Sequence, residues 1–225
     1  MNVLDDIFWC TLTGRQAHFA AGEGAARRYA RGFSPILGFE DREHPDFAAL
    51  APFCDVGERF YLDTWSGEAP PGWSIVVEKR MKRMLWSKDA PPPDAEPETQ
   101  PLDASQAQQA VELAVLTNPG PFGLRTIELG EYFGVFEGER LVAMAGERLH
   151  AGDYREVSGV CTHPDFQGRG LARQLTAKIV RLQLQRGQQP FLHVMSHNTG
   201  AHDLYERMGF RDYRETVVRV VERQP

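Results

Sequence analysis

The chain has 225 residues, 42% of them hydrophobic, with 31 Asp+Glu against 25 Lys+Arg for a net charge of −6. That is enough apolar material for one large domain or two small ones, and it excludes a disordered or fibrous chain. The acidic balance argues against a general nucleic-acid binder and leans mildly toward cationic ligands.

Cys10, Cys54 and Cys161 are far apart and lack metal-ligand spacing, so neither a disulfide framework nor a metal site is expected and a reducing cytoplasm fits. The opening MNVLDDIFWCTLTG carries acids where a secretory signal carries bases. No apolar run reaches the ~18 residues that span a bilayer. The expectation is a cytoplasmic protein without membrane contact.

In chain order, a short helix is predicted near residues 2–13, then a loop-rich stretch, then strands at 58–64 (ERFYLDT) and 73–78 (WSIVVE). The run EKRMKRMLWSK, Glu78 to Lys88, alternates bases with Met and Trp and reads as a solvated strand edge or interdomain surface rather than a nucleic-acid site. Residues 89–101, DAPPPDAEPETQP, hold five prolines and read as an extended connector. They divide the chain into a region 1–88, a linker 89–101 and a domain 102–225.

The second part is more regular. A helix is predicted near 104–117, a hairpin from strands 132–137 and 140–149 about the turn EGE, and a strand at 154–162. Leu171, Leu175, Ile179 and Leu182 then recur at helical spacing up to Gly187. PFLHVM at 190–195 reads as a strand covered on both faces. Ala201, Leu204, Tyr205 and Met208 mark one face of a short helix closed by Gly209, and strand follows over 210–221. The fold class is α/β (α+β): a mixed, mostly antiparallel sheet flanked by helices.

At HPDFQGRGLARQL, a strand enters a helix through Gln167, Gly168, Arg169, Gly170, Leu171 and Ala172. Unpaired amides at the positive end of a helix dipole, with glycines in place of Cβ atoms, make an anion site, and Arg169 adds a charge. A dinucleotide fingerprint would need a small residue where Arg173 stands, and a P-loop would need a GK[ST] that is missing.

The stretch VCTHPDFQGRGLARQL resembles the pyrophosphate-binding signature of the GNAT superfamily of acyl-CoA-dependent N-acetyltransferases, through Gln167, Gly170 and Ala172. From Ala172 to Asn198 is 26 residues, and there HNTGAHDLYERMGF resembles the superfamily's second signature. The resemblance spans roughly residues 103–225. EVSGVCTHP with PFLHV is similar to the branch that includes glycine N-acyltransferase-like proteins. In that branch an N-terminal region often forms a degenerate half of the same fold, the reading taken for 1–88.

The resemblance implies acetyl-CoA held between splayed parallel strands, 156–162 and 190–195. The backbone of Val160, Cys161 and Thr162 then pairs with the pantetheine arm, the amides of 168–172 hold pyrophosphate, and Val160 or Cys161 supplies an oxyanion donor. Tyr205, seven positions after Asn198, matches the family's general acid. Asn198 is a cofactor contact, an N-cap, or both. The base is open among Glu156, eleven residues before Gln167, His193, Glu147 and water. Cys161 reads as an inert core thiol, and His163 with Asp165 as loop polar groups.

The implied function is acetyl transfer to a primary amine of a small molecule, amino acid or peptide. The alternative is a CoA-binding regulator without efficient chemistry. The acceptor pocket is expected from the first helices, the loop around 117–131 and the N-terminal region. Oligomeric state leaves no mark in the sequence.

Overall fold

The computed structural model describes residues 2–91 and 98–225. The centre of the Pro-rich connector, 92–97, lies outside the described residues. Asn2 caps a single turn, Val3–Asp6, that runs into α1 (Ile7–Thr13). Ile7, Phe8, Thr11 and Leu12 share one buried face of α1, and its three large apolar side chains contribute about 1.5–3 kcal/mol each.

Three short strands, β1 (Ala20–Ala21), β2 (Ala26–Tyr29) and β3 (Leu37–Phe39), make a small antiparallel sheet. The one-turn α2 (Phe47–Leu50) follows, capped by Asp46, which accepts from the Ala49 amide at 2.9 Å. Next come β4 (Arg59–Asp63), β5 (Trp73–Trp86), β6 (Gln100–Pro101), α3 (Ala107–Thr117), β7 (Tyr132–Glu137), β8 (Arg140–Ala151) and β9 (Tyr154–Thr162). Then α4 (Leu171–Gln185), β10 (Gln189–Met195), α5 (Thr199–Met208) and β11 (Phe210–Arg223) complete the order.

Eight strands form one sheet in the order β4-β11-β5-β10-β9-β8-β7-β6. Every neighbouring pair is antiparallel except β9 and β10, which run parallel. This is the mixed, mostly antiparallel sheet with flanking helices that the sequence predicts.

On one face, Leu175, Ile179 and Val180 of α4 and Tyr205 and Met208 of α5 pack on Met84, Trp86, Leu192 and Val194. On the other, α1 packs on Phe191, Leu85 and Leu149.

One stretch differs from the sequence reading. Strand β5 does not stop at Glu78 but runs on to Trp86 through the sheet interior, between β10 and β11. Met81, Met84 and Trp86 are buried, and only the 76–80 portion is exposed. Its charges read as a solvated edge, but some are matched across the ladder: Arg80 reaches Glu215 at 2.6 Å and Lys82 reaches Asp212 at 2.6 Å. Strands β4 and β5, from the first 88 residues, therefore share a sheet with β6–β11, and the connector does not separate two sheets. Trp65 and Trp73 pack with Phe60 and with Val221 of β11, which ties the region down further.

Candidate functional site

The parallel ladder is short. Residues 154–156 of β9 pair with 189–191 of β10, and no pair follows Glu156 and Phe191. Beyond that point β9 stays bonded to β8 as far as Thr162, and β10 to β5 as far as Met195, so the two strands part. A bulge accompanies the parting: Met144 faces Cys161 and Gly146 faces Ser158, leaving Gly159 and Val160 opposite Ala145 alone. Gly159 has φ +63°, and a Cβ there would lie 2.9 Å from the Tyr132 ring. Glycine is required by both backbone and space. Unpaired backbone groups of β9 face the gap.

A cleft of about 600 Å³ opens on the α4/α5 face of this gap. Val160, Cys161, Thr162, Gln167, Gly168, Gly170, Leu171, Ala172, Asn198 and Tyr205 all line it. Gly168 and Gly170 both have φ +78°, and no atom lies within 3.9 Å of where their Cβ atoms would stand. The first intrahelical bond of this end runs from Gln174 to Gly170 O at 3.0 Å, so the preceding amides open on a cradle at the helix N-terminus. A diphosphate fits that donor set.

Among the cofactor-contact candidates, Arg169 stands apart. Its guanidinium stacks 4.6 Å over the Phe166 ring and does not line the cleft, whereas Arg173, one turn into α4, does. Stacking on a neighbouring ring lets the cation keep its solvent, and the loop's geometry sends it outward.

Asn198 caps α5, its side chain accepting from the Ala201 amide at 3.2 Å, and also lines the cleft. Tyr205 is 8% exposed. Burial, with a smaller contribution from Cys161, pushes its phenol up to about 12, so it holds its proton at neutral pH. Burial likewise pushes the Cys161 thiol up to about 12, which makes it a poor nucleophile.

A second, smaller cleft of about 140 Å³ opens on the α1 face and shares Asn118, Pro119, Val160, Asn198, Ala201 and Tyr205 with the first. Its floor brings Glu156 and His193 together: His193 Nδ1 is 2.7 Å from Glu156 Oε1. Arg148 donates to the same carboxylate from Nε at 2.9 Å and Nη2 at 2.7 Å. Arg83 Nε–H donates to His193 Nε2 at 3.0 Å. A guanidinium only donates, so the imidazole carries its proton on Nδ1 and is neutral. Arg83 in turn pairs with Asp63, which accepts from Thr216 Oγ1 at 2.6 Å.

Burial alone would raise Glu156, but the Arg148 charge and the bonds from Arg148 and His193 outweigh it and hold the carboxyl well below the usual range. Burial lowers His193, only partly offset by Glu156.

Glu147 lines neither cleft. It is 1% exposed and bound by Arg155 at 3.1 Å, Gln183 at 3.1 Å and Arg186 at 3.2 Å, a structural carboxylate tying α4 to the sheet. His163 caps the turn after β9, accepting from the Asp165 amide at 3.2 Å. Among the described residues, His202, Asp203 and Glu206 on α5 are near enough to share a cation, but His202 Nε2 already lies 2.8 Å from Asp212.

Sequence reasoning missed Arg148, Asp63 and Arg83. A turn at Gly152–Asp153 alone would set Leu149 opposite Glu156; a register shift between Glu147 and His150 brings Arg148 to the carboxylate instead, and the sequence does not announce that shift. It also missed Phe8, Tyr61, Met81 and Val218, which wall the second cleft with Asn118–Pro121.

Residues 132–220 match the family profile described as FR47-like protein. Among solved structures, an acetyltransferase assigned to the GNAT family from Novosphingobium aromaticivorans is 30% identical, with 100% of both chains covered and a TM-score of 0.89. A GCN5-related N-acetyltransferase from Kribbella flavida is 16% identical, with 96% of each chain covered and a TM-score of 0.56. A GCN5-related N-acetyltransferase-like protein from Streptococcus suis is 15% identical, with 97% of this chain and 92% of that chain covered and a TM-score of 0.57. These last two share the fold. No curated protein matches the chain. No described helix is long and apolar enough to cross a membrane.

Proposed function

Because the chain belongs to the GNAT superfamily of acetyltransferases, we propose that it transfers an acetyl group from acetyl-CoA to a primary amine of a small molecule, amino acid or peptide by direct attack on the thioester. One observation carries the reading. Strands β9 and β10 part beyond Glu156 and Phe191, and the gap joins two clefts on opposite faces with Tyr205 at their junction.

Bound acetyl-CoA supplies an activated acyl group. The residues that would hold it are the amides of 168–172 and the free backbone of 160–162, which can pair with the pantetheine arm as an added strand does. Val160, left out of the β8 register by the bulge and lining both clefts, has a backbone amide that would donate to the carbonyl oxygen as negative charge develops. Tyr205, protonated at neutral pH, would give its phenolic proton to the departing sulfur.

Neither floor residue suits the role of base. Glu156 is saturated by donors, and the Nε2 lone pair of His193 is taken by Arg83. The acceptor ammonium therefore loses its proton to solvent water before it seats in the second cleft, with Glu156 and His193 as positioning residues.

The test is release of CoA thiol from acetyl-CoA across a panel of amines, with Tyr205→Phe alongside. Turnover by the wild-type protein that falls in the variant while CoA binding persists supports the reading. CoA binding without any turnover favours the regulator instead.

A further inference from the structure

The second cleft is closed to additional charge. Among the described residues, the side chains lining it that carry charge are Arg148 and Glu156, and they hold each other through two hydrogen bonds. The two Glu156 oxygens also accept from His193 at 2.7 Å and from the Leu149 amide at 3.3 Å. Arg148 makes its other contact with Ser34 Oγ at 3.4 Å.

Behind them His193 is neutral and spent on both nitrogens, and Arg83 is matched by Asp63. The row Asp63–Arg83–His193–Glu156–Arg148 thus sums to zero. Each of its side chains is 8% exposed or less.

A ligand carboxylate reaching Arg148 would sit against Glu156, and a second ligand ammonium reaching Glu156 would sit against Arg148. Either would be a buried charge without a free counterion. The rest of the wall is uncharged: apolar Phe8, Met81, Val194 and Val218 share it with neutral polar groups from Tyr61, Asn118 and Ser158. The volume, about 140 Å³, is close to the ~150 Å³ cavity known to hold benzene.

We infer that the acceptor is a primary amine whose non-reacting end is an uncharged group of about ring size, rather than an amino acid or a polyamine. The inference rests on the transferase reading, and it narrows the mild lean toward cationic ligands that the net charge alone suggests.

The experiment compares phenethylamine, phenylalanine and 1,5-diaminopentane on the full chain. Binding to the CoA complex is read by calorimetry, and turnover of acetyl-CoA by thiol release. Phenethylamine is expected to bind and to show a kcat/KM at least about 10-fold above both others, the discrimination an unpaired buried charge imposes.

The inference falls if phenylalanine or the diamine binds or reacts as well as phenethylamine, or if phenethylamine does not bind the CoA complex. If the binding order holds but no amine turns over, the cleft's preference for an uncharged tail stands as a binding property and the transferase reading falls. If a charged-tail amine is the best substrate, the transferase reading stands and the inference falls.

Discussion

Replacing Glu156 by glutamine tests the floor of the second cleft most directly. The carboxylate is 1% exposed and takes hydrogen bonds from Arg148, His193 and the Leu149 amide. Glutamine keeps the shape but removes the charge, and its NH₂ faces donors. Arg148, with 8% of its side chain exposed, is left without a counterion. Removing one partner of such a buried pair costs about 3–5 kcal/mol. For a chain of this size that lowers Tm by roughly 6–20 °C.

The pH dependence has a definite sign. A carboxyl whose folded pKa lies below its unfolded value of ~4.3 contributes stability in full above that value and loses it as pH falls. Below about pH 4.3 the wild-type advantage therefore shrinks by about 1.4 kcal/mol per pH unit, while Glu156→Gln lacks this contribution throughout. Comparing the two proteins by circular dichroism melts at about pH 7 and pH 3.5 cancels the other carboxylates. A variant melting within about 2 °C of wild type, with a gap independent of pH, refutes Glu156 as the buried counterion.

Tyr205→Phe should lower kcat by about 10²–10⁴-fold and leave CoA affinity within a few-fold, measured by thiol release and calorimetry. If water takes the amine proton, log(kcat/KM) should climb with pH with a slope of about 1 toward the pKa of the amine, whereas a plateau beginning near pH 7 would reveal an enzyme base. Gly170→Ala, at φ +78°, should cost about 1–2 kcal/mol and weaken CoA binding, checked by melting and titration. Cys161 should resist iodoacetamide in the folded protein at neutral pH, and mass spectrometry should find no acetylated Cys161 after incubation with acetyl-CoA alone, since its thiol is pushed up to about 12.

The C-terminal half of the fold is legible because its strands and helices bury whole faces, so Leu171, Leu175 and Ile179 or the run PFLHVM announce their periods. The glycine loop is legible because few backbones other than an anion cradle need Gly168 and Gly170 side by side with a helix start. Strand β5 is not, since Arg80 and Lys82 look solvated until Glu215 and Asp212 are seen across the ladder. Glu156 and His193 each stand out as ionisable residues on apolar strands. Their mutual bond is invisible in sequence because it forms where β9 and β10 have stopped pairing, and the neutralising Arg83 and Asp63 arrive from more than a hundred residues away in His193's case. The stacking of Arg169 on the Phe166 ring is likewise invisible in sequence, which shows the charge beside the glycine loop but not the ring that holds it.

The interior position of β5 shapes how the molecule assembles. Trp73 to Trp86 finds its hydrogen-bond partners in residues 191–195 and 210–223, so this long ribbon must wait until more than a hundred further residues have been synthesised. During that interval its Met and Trp side chains have no sheet to enter, while its bases keep the waiting segment in water and discourage pairing with other nascent chains. Cutting the gene at the proline-rich connector would strand β10 and β11 without the ribbon between them, and each fragment should be insoluble unless both are made together.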